Sequence, residues 1–350
     1  MRLRARLSTT VAGLTAVLTL TATLSGCMTV HGEEAIVPAA DTEEAQDVLE
    51  HYVEVYNEAK PANDSELNAT IEVGGLGAIN GAVLDARAGA IADAEEQGDQ
   101  RIIDQINEAY GPEAFTPLEL EDVRYHIPEQ AGWPKFFVAD AQSNLTENRW
   151  LLVFTRNAID EDWRASYLGQ VPTAQLPEFA EEENGNGALV DIPLTGTDGD
   201  DLAVAPGELS AAYADYLTAG GVDPTFTAGP YTTEALANRE AANSNAAFRT
   251  DYIDEPAEGA EYAPVAIRTA DGGALVFFTT VHNSKQTVAE GEDPVEVLDL
   301  DPASLALMDG EARRAVTWQR VAYQVAYVPA GEGQVEILGQ SRGATSVTGE

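Results

Sequence analysis

The stretch VEILGQSRGAT, residues 335–345, carries two readings that lead to different proteins. Gly339-Gln340-Ser341-Arg342-Gly343 has the G-x-S-x-G spelling of a nucleophile elbow, after an apolar run that reads as a strand. Leu338-Gly339-Gln340 also repeats Leu168-Gly169-Gln170, which closes another strand-like run. An elbow needs a sharp turn into a helix, with the triad acid and histidine later in the chain. Residues 342–350 contain no histidine and no helical period. A catalytic Ser341 would have to recruit His126 or His282 from upstream. The repeat accounts for more of the chain.

Asp41 opens a helix, with Glu44 three residues on as in a capping-box variant. Ala45, Val48, Leu49, Tyr52, Val53 and Tyr56 keep the spacing of one helix face, and Lys60-Pro61 ends it. A second helix is expected within 78–110, interrupted near Gln97-Gly98-Asp99. Strands are expected at 122–127, 135–141, 149–156 and 163–169. After the acidic, glycine-bearing stretch 173–205, which holds one strand near 188–192, the order returns. Pro206 suits a first helical turn, Leu209, Ala212, Tyr213, Tyr216 and Leu217 form a stripe, and Gly220-Gly221 stops it. A helix over 233–248 follows, then a hairpin, 265–269 and 274–281, turning at Asp271-Gly272-Gly273. In 318–328, Val321, Tyr323, Val325 and Tyr327 share one face, and Ala322, Gln324 and Ala326 the other. Each half thus reads helix, helix, four strands, ending in Leu-Gly-Gln. The expected fold is α+β: two tandem related halves, each with helices packed on a curved antiparallel sheet, similar to NTF2-like or cystatin-like folds. The expected organisation is 1–26 signal peptide, 27–40 tether, 41–172 first half, 173–205 acidic linker, 206–340 second half and 341–350 polar tail.

The N-terminus sets the compartment. Arg2, Arg4 and Arg6 precede an uncharged run from Val11 to Leu24, too short to span a bilayer core of roughly 30 Å comfortably. Leu24-Ser25-Gly26-Cys27 resembles a bacterial lipobox, and Cys27 is the sole cysteine. The resemblance implies a diacylglyceryl group on the Cys27 sulfur and cleavage before it. Two acyl chains make a stable anchor where one does not. The protein is therefore expected on the outer face of the cell membrane, exported by the general secretory route. No thiol would remain for a disulfide, a metal or a nucleophile.

Charge narrows the partners. The chain has 19 lysines and arginines against 59 acids. Removing residues 1–26 takes away three arginines and no acid, which moves the net charge from −40 to −43. Such a surface repels nucleic acid and anionic polymers and keeps a secreted protein soluble.

The remaining motifs are weak. Gly74-Gly75-Leu76-Gly77 lacks the third glycine of a dinucleotide loop, since Asn80 takes that place; the glycines read as backbone punctuation. His31, His51, His126 and His282 include no i, i+4 pair, so no HExxH zinc site exists. Asp160-Glu161-Asp162 and Asp198-Gly199-Asp200-Asp201 are loop acids without the EF-hand spacing. Trp150, Trp163 and Trp318 read as core.

The stretches LAVAPGELSAAYADYL (202–217), GGALVFFTTVH (272–282) and RWLLVFTRNAIDEDWRASYL (149–168) resemble an actinobacterial family of lipoproteins that carry a domain of unknown function. That resemblance implies a surface lipoprotein and supplies no activity. The expected function is a non-enzymatic, lipid-anchored binding or scaffold module of the cell envelope. It has no cofactor or metal, and its site residue is the lipidation site Cys27. Its partners are the membrane, through the anchor, and an envelope protein or small molecule; nucleic acid is excluded. The alternatives are a small-ligand carrier or sensor using a pocket in one half, and, remotely, a serine hydrolase using Ser341.

Overall fold

The structure is a computed structural model that describes residues 36–183, 189–194, 198–293, 298, 300 and 302–350. The signal segment and Cys27 lie outside the described residues.

In the first half, β1 (Ile36–Pro38) leads into α1 (Thr42–Ala62), a single turn α2 (Ser65–Asn68), α3 (Gly74–Gln97) and α4 (Gln100–Tyr110). Then come β2 (Leu120–His126), β3 (Glu129–Ala131), β4 (Lys135–Ser143), β5 (Arg149–Arg156) and β6 (Arg164–Val171). The Asp41 side chain caps α1 by accepting from the Glu44 amide at 2.8 Å, as its sequence implies. Gly98, at φ 67°, breaks the long helical stretch, and Asp99 recaps it as α4. The helix begins at Gly74 rather than near 78, so the glycines expected to punctuate lie in its first turn. They are there for closeness. A Cβ at Gly77 would sit 2.9 Å from the Glu72 carbonyl carbon. One at Gly74 would sit 2.4 Å from the Glu261 carbonyl oxygen.

The connection carries β7 (Glu181–Glu183), β8 (Leu189–Asp191) and β9 (Pro193–Leu194). The second half holds α5 (Leu209–Thr218), α6 (Thr233–Ala242), β10 (Phe248–Pro256), β11 (Val265–Arg268) and β12 (Ala274–Val288). It ends with α7 (Pro302–Ala306), β13 (Met308–Gly310), β14 (Ala315–Val328) and β15 (Glu336–Gly349). The molecule is a mixed α+β protein with two principal sheets, antiparallel except where β13 meets β15. The first sheet runs β2-β4-β5-β6, and β1 pairs with β3 beside it. The second runs β13-β15-β14-β12-β11-β9, with β10 also on β12. The pairings β1·β3 and β2·β4·β5·β6 thus recur in order as β9·β11 and β10·β12·β14·β15.

Two expectations are corrected. Residues 341–349 are not a tail but the second half of β15, paired with β14 from Tyr323↔Ser341 to Val316↔Gly349. The ladder satisfies this polar segment's backbone, and Val347 is buried with Val288 and Val316. The helix expected to reach Phe248 stops at Ala242, and Phe248 begins β10. Asn243 forces the change. Its side chain both donates to the Thr250 carbonyl (2.8 Å) and accepts from the Thr250 amide (2.7 Å). In the connection, β8 forms where a strand was expected near 188–192, and two further contacts tie it to the second half, β9 with β11 and Phe179 with Thr269.

Packing follows the strand alternation. Val321, Tyr323 and Val325 face the first sheet, where Tyr167 meets Phe277 and Tyr323 at ring distances of 5.9 and 6.3 Å. Ala326 and Val328 face α5 with Val276 and Phe278, under Leu209, Tyr213 and Tyr216. On the outer side of the first sheet, Tyr52 of α1 packs edge-on to Phe154. The two Leu-Gly-Gln segments meet at the junction. A Cβ on Gly339 would lie 2.9 Å from the Gln170 carbonyl oxygen. One on Gly169 would lie 3.0 Å from the Phe277 ring.

Candidate functional site

A cleft of about 490 Å³ lies where the two halves meet beside β1. One wall is the β3–β4 turn, Ala131 to Phe136, which contains the cis Trp133-Pro134 bond. β9 and Ala263, Pro264 and Val265 also line it, together with Val73 and Ser166. Its two sides are fixed to each other. The Tyr167 hydroxyl donates to the Ala263 carbonyl at 2.8 Å, and burial pushes that phenol's pKa well up. Gly74 admits the 260–262 turn from below, as its distance to Glu261 requires.

Lys135 supplies the cleft's buried charge. It is 6% exposed, and its ammonium donates to the carbonyls of Gln130 (2.9 Å) and Val37 (3.2 Å). Among the described residues no carboxylate stands at ion-pair distance from it. An ammonium has three N–H donors, so one remains available. Burial lowers the Lys135 pKa, and the Arg156 guanidinium, directly across the β4·β5 ladder, lowers it further. Lys135 and Arg156 flank the Trp133 ring at 5.9 and 5.4 Å from its centroid. Arg156 also pairs with Glu44 at 3.1 Å, and Glu44 accepts from the Trp163 indole at 2.9 Å. Glu129, Asp198 and Glu261 lie among the lining residues, so the cleft combines apolar walls with charges of both signs.

Ser341 does not stand on an elbow. It lies mid-strand in β15, opposite Tyr323. His282 is held elsewhere: its Nδ1 lies 2.5 Å from Asp254 and its Nε2 2.9 Å from the Thr280 hydroxyl. With Nδ1 donating to Asp254, the order Asp254–His282–Thr280 mimics a catalytic triad. Thr280 is fully buried, however, and also accepts from Gln324, so the arrangement is sealed from solvent. Burial would raise the Asp254 pKa, but Arg239, at 2.6 Å, and His282 hold it down at about 2.

His126 is half-buried against Phe179, 3.4 Å from Asp191 and 4.0 Å from Asp140. Burial alone would lower its pKa; the two carboxylates outweigh that and raise it to about 9. Asp140 is in turn gripped by Arg149 at 2.5 Å. Asp201 of the acidic loop is clamped by Arg268 at 2.9 Å through both oxygens. Among the described residues, no group of three or more His, Cys, Asp or Glu is placed to hold a metal ion. Trp150 and Trp163 are buried as expected, whereas Trp318 is half-buried.

Lys135 and the Trp133-Pro134 turn escaped the sequence reading. The available signal was compositional, since a lysine is conspicuous in so acidic a chain and the turn stands between two strands.

Comparison with known proteins gives the lineage. The model of a domain of unknown function, DUF8094, matches residues 36–349. An uncharacterized lipoprotein of Streptomyces coelicolor, SCO2278, is 42% identical over 95% of this chain and 93% of its own length. An uncharacterized lipoprotein of Streptomyces avermitilis is 39% identical over 95% and 92%. Another Streptomyces coelicolor lipoprotein, SCO6871, is 25% identical over 89% and 83%. Among the described residues no helix is long and apolar enough to cross a membrane. The matched region takes in both sheets and the cleft between them, and the chain belongs to the DUF8094 family, with lipoproteins of Streptomyces among its relatives.

Proposed function

We propose that the protein is a lipid-anchored binding module of the cell envelope that holds a small, largely apolar molecule in the junction cleft and performs no chemistry on it. The cleft carries this reading. Its volume of about 490 Å³ falls within the range of small-molecule sites, and its apolar walls surround a few placed polar groups, Lys135 foremost. The anchor is Cys27, exposed on the outer face of the membrane after export and cleavage. From Cys27 to Ile36 is nine residues, which reach at most about 30 Å. The cleft would therefore work close to the lipid surface. The two halves, matched in strand pairing and in their Leu-Gly-Gln ends, are read as a duplication of one cystatin-like or NTF2-like unit.

Ala131 is an exposed residue of the lining, so Ala131→Trp adds bulk to the cleft without replacing a core residue. Titration with the neutral apolar dye Nile red should give saturable emission enhancement with the wild type. Affinity for the Ala131→Trp protein should be at least ~10-fold weaker at unchanged melting temperature. Equal binding by both proteins would contradict the cleft assignment.

A further inference from the structure

A second cavity, of about 340 Å³, lies between α1, α3 and α4, away from the junction cleft. Tyr56 and Lys60 line it from α1, Asn80 and Arg87 from α3, and Tyr110 of α4 and Phe115 complete the lining. Its lining includes two cations and no carboxylate, in a chain with 59 acids. Most of the other described arginines are paired with an acid instead. Arg101, Arg149, Arg239, Arg249, Arg268 and Arg313 each meet an aspartate or glutamate.

Arg87 meets none among the described residues. Its guanidinium stacks on the Tyr110 ring, 3.7 Å from the centroid. Stacking uses the face of the group and leaves the in-plane N–H donors free for a planar anion. Lys60 stands nearby with its Nζ 5.1 Å from the Tyr56 centroid. Its charge is shared with Glu72 at 3.4 Å, and Glu72 also accepts from Asn68, Asn80 and Tyr52. Burial lowers the pKa of both Lys60 and Arg87, and Arg87 further lowers that of Lys60. The two cations therefore repel across the cavity, and the one carboxylate nearby, Glu72, pairs with Lys60. The rest of the lining is ring and alkyl surface: Tyr56 and Phe115 lie 6.3 Å apart, with Val83 and Leu84 beneath.

We propose that this cavity binds a small carboxylate with an aromatic or short apolar body, the carboxylate held by the free edge of Arg87 and the body lying against Tyr56 and Phe115. A carboxylate matches the guanidinium edge in two parallel hydrogen bonds, which a neutral amide cannot reproduce.

The test is calorimetric and ligand-observed NMR titration of the wild type, Arg87→Gln and Arg249→Gln with 3-phenylpropionate and with its amide. Arg249 is an exposed arginine far along the chain, already paired with Asp251, and serves as the charge control. The wild type and Arg249→Gln should bind the acid at least ~10-fold more tightly than the amide, and Arg87→Gln should abolish that preference. Thermal melting of Arg87→Gln should show a folded protein, so that lost recognition is not lost structure. The proposal fails if acid and amide bind the wild type equally. It also fails if Arg87→Gln keeps the preference, or if no binding of the acid appears at about 10 mM.

Discussion

Gly339 shows how much one missing methyl group governs at the junction. Its backbone runs so close to the first half that a Cβ would lie 2.9 Å from the Gln170 carbonyl oxygen and 3.1 Å from Val325. Neither neighbour can swing aside, because one is backbone and the other a fully packed core residue. Gly339→Ala should therefore lower stability by about 1–3 kcal/mol, the usual cost of overpacking a close contact. Urea denaturation followed by circular dichroism reads this as a lower midpoint at similar slope. An unchanged midpoint would mean that the two Leu-Gly-Gln segments do not meet as described. The repeated triplet itself was visible in the sequence. That its two copies touch was not, because contact between distant segments leaves no local pattern. The same limit hid Lys135 and Arg87. What marks them is that each lines a cavity without a carboxylate partner, a property of tertiary placement alone.

At the scale of elements, His126 ties the connection to the first sheet through Asp191 of β8. Its pKa in the folded protein is raised to about 9, against about 6.5 for a free histidine. A group whose pKa is raised on folding stabilises most fully below its unfolded value, and that stabilisation disappears as pH climbs through the folded value. The free energy of unfolding, and with it the melting temperature, should accordingly fall between about pH 6.5 and 9, the former by on the order of 3 kcal/mol. His126→Gln should flatten that slope while leaving the acid limb. The acid limb has the opposite sign. Asp254, held at about 2, contributes stability above about pH 4 that is lost as pH falls toward 2. An identical slope in His126→Gln would remove His126 from the account. Elements with a clear apolar period or run, α1, β5 and β14 among them, were legible in the sequence. β10 and the far half of β15 were not. Their side chains are polar on both faces, and what fixes them is the hydrogen-bonding edge that β12 and β14 present.

The whole molecule is an acidic body in which most described cations are already committed to carboxylates; Lys135 and Arg87 are not, and each lines a cavity. The α+β class and the order of helices before strands were readable from periodicity. The junction cleft was not, since its lining comes from segments scattered between Ile36 and Val265. The binding function proposed for that cleft depends on where the protein is held. Two acyl chains, at roughly 0.8 kcal/mol per buried CH2, give an anchor that a single chain does not. Metabolic labelling with an alkyne-bearing palmitate, followed by membrane fractionation, tests the central claim of a lipid-tethered module. The wild type should be labelled and sediment with membranes, and Cys27→Ser should be unlabelled and leave the membrane fraction. Equal labelling and sedimentation of the two proteins would contradict it.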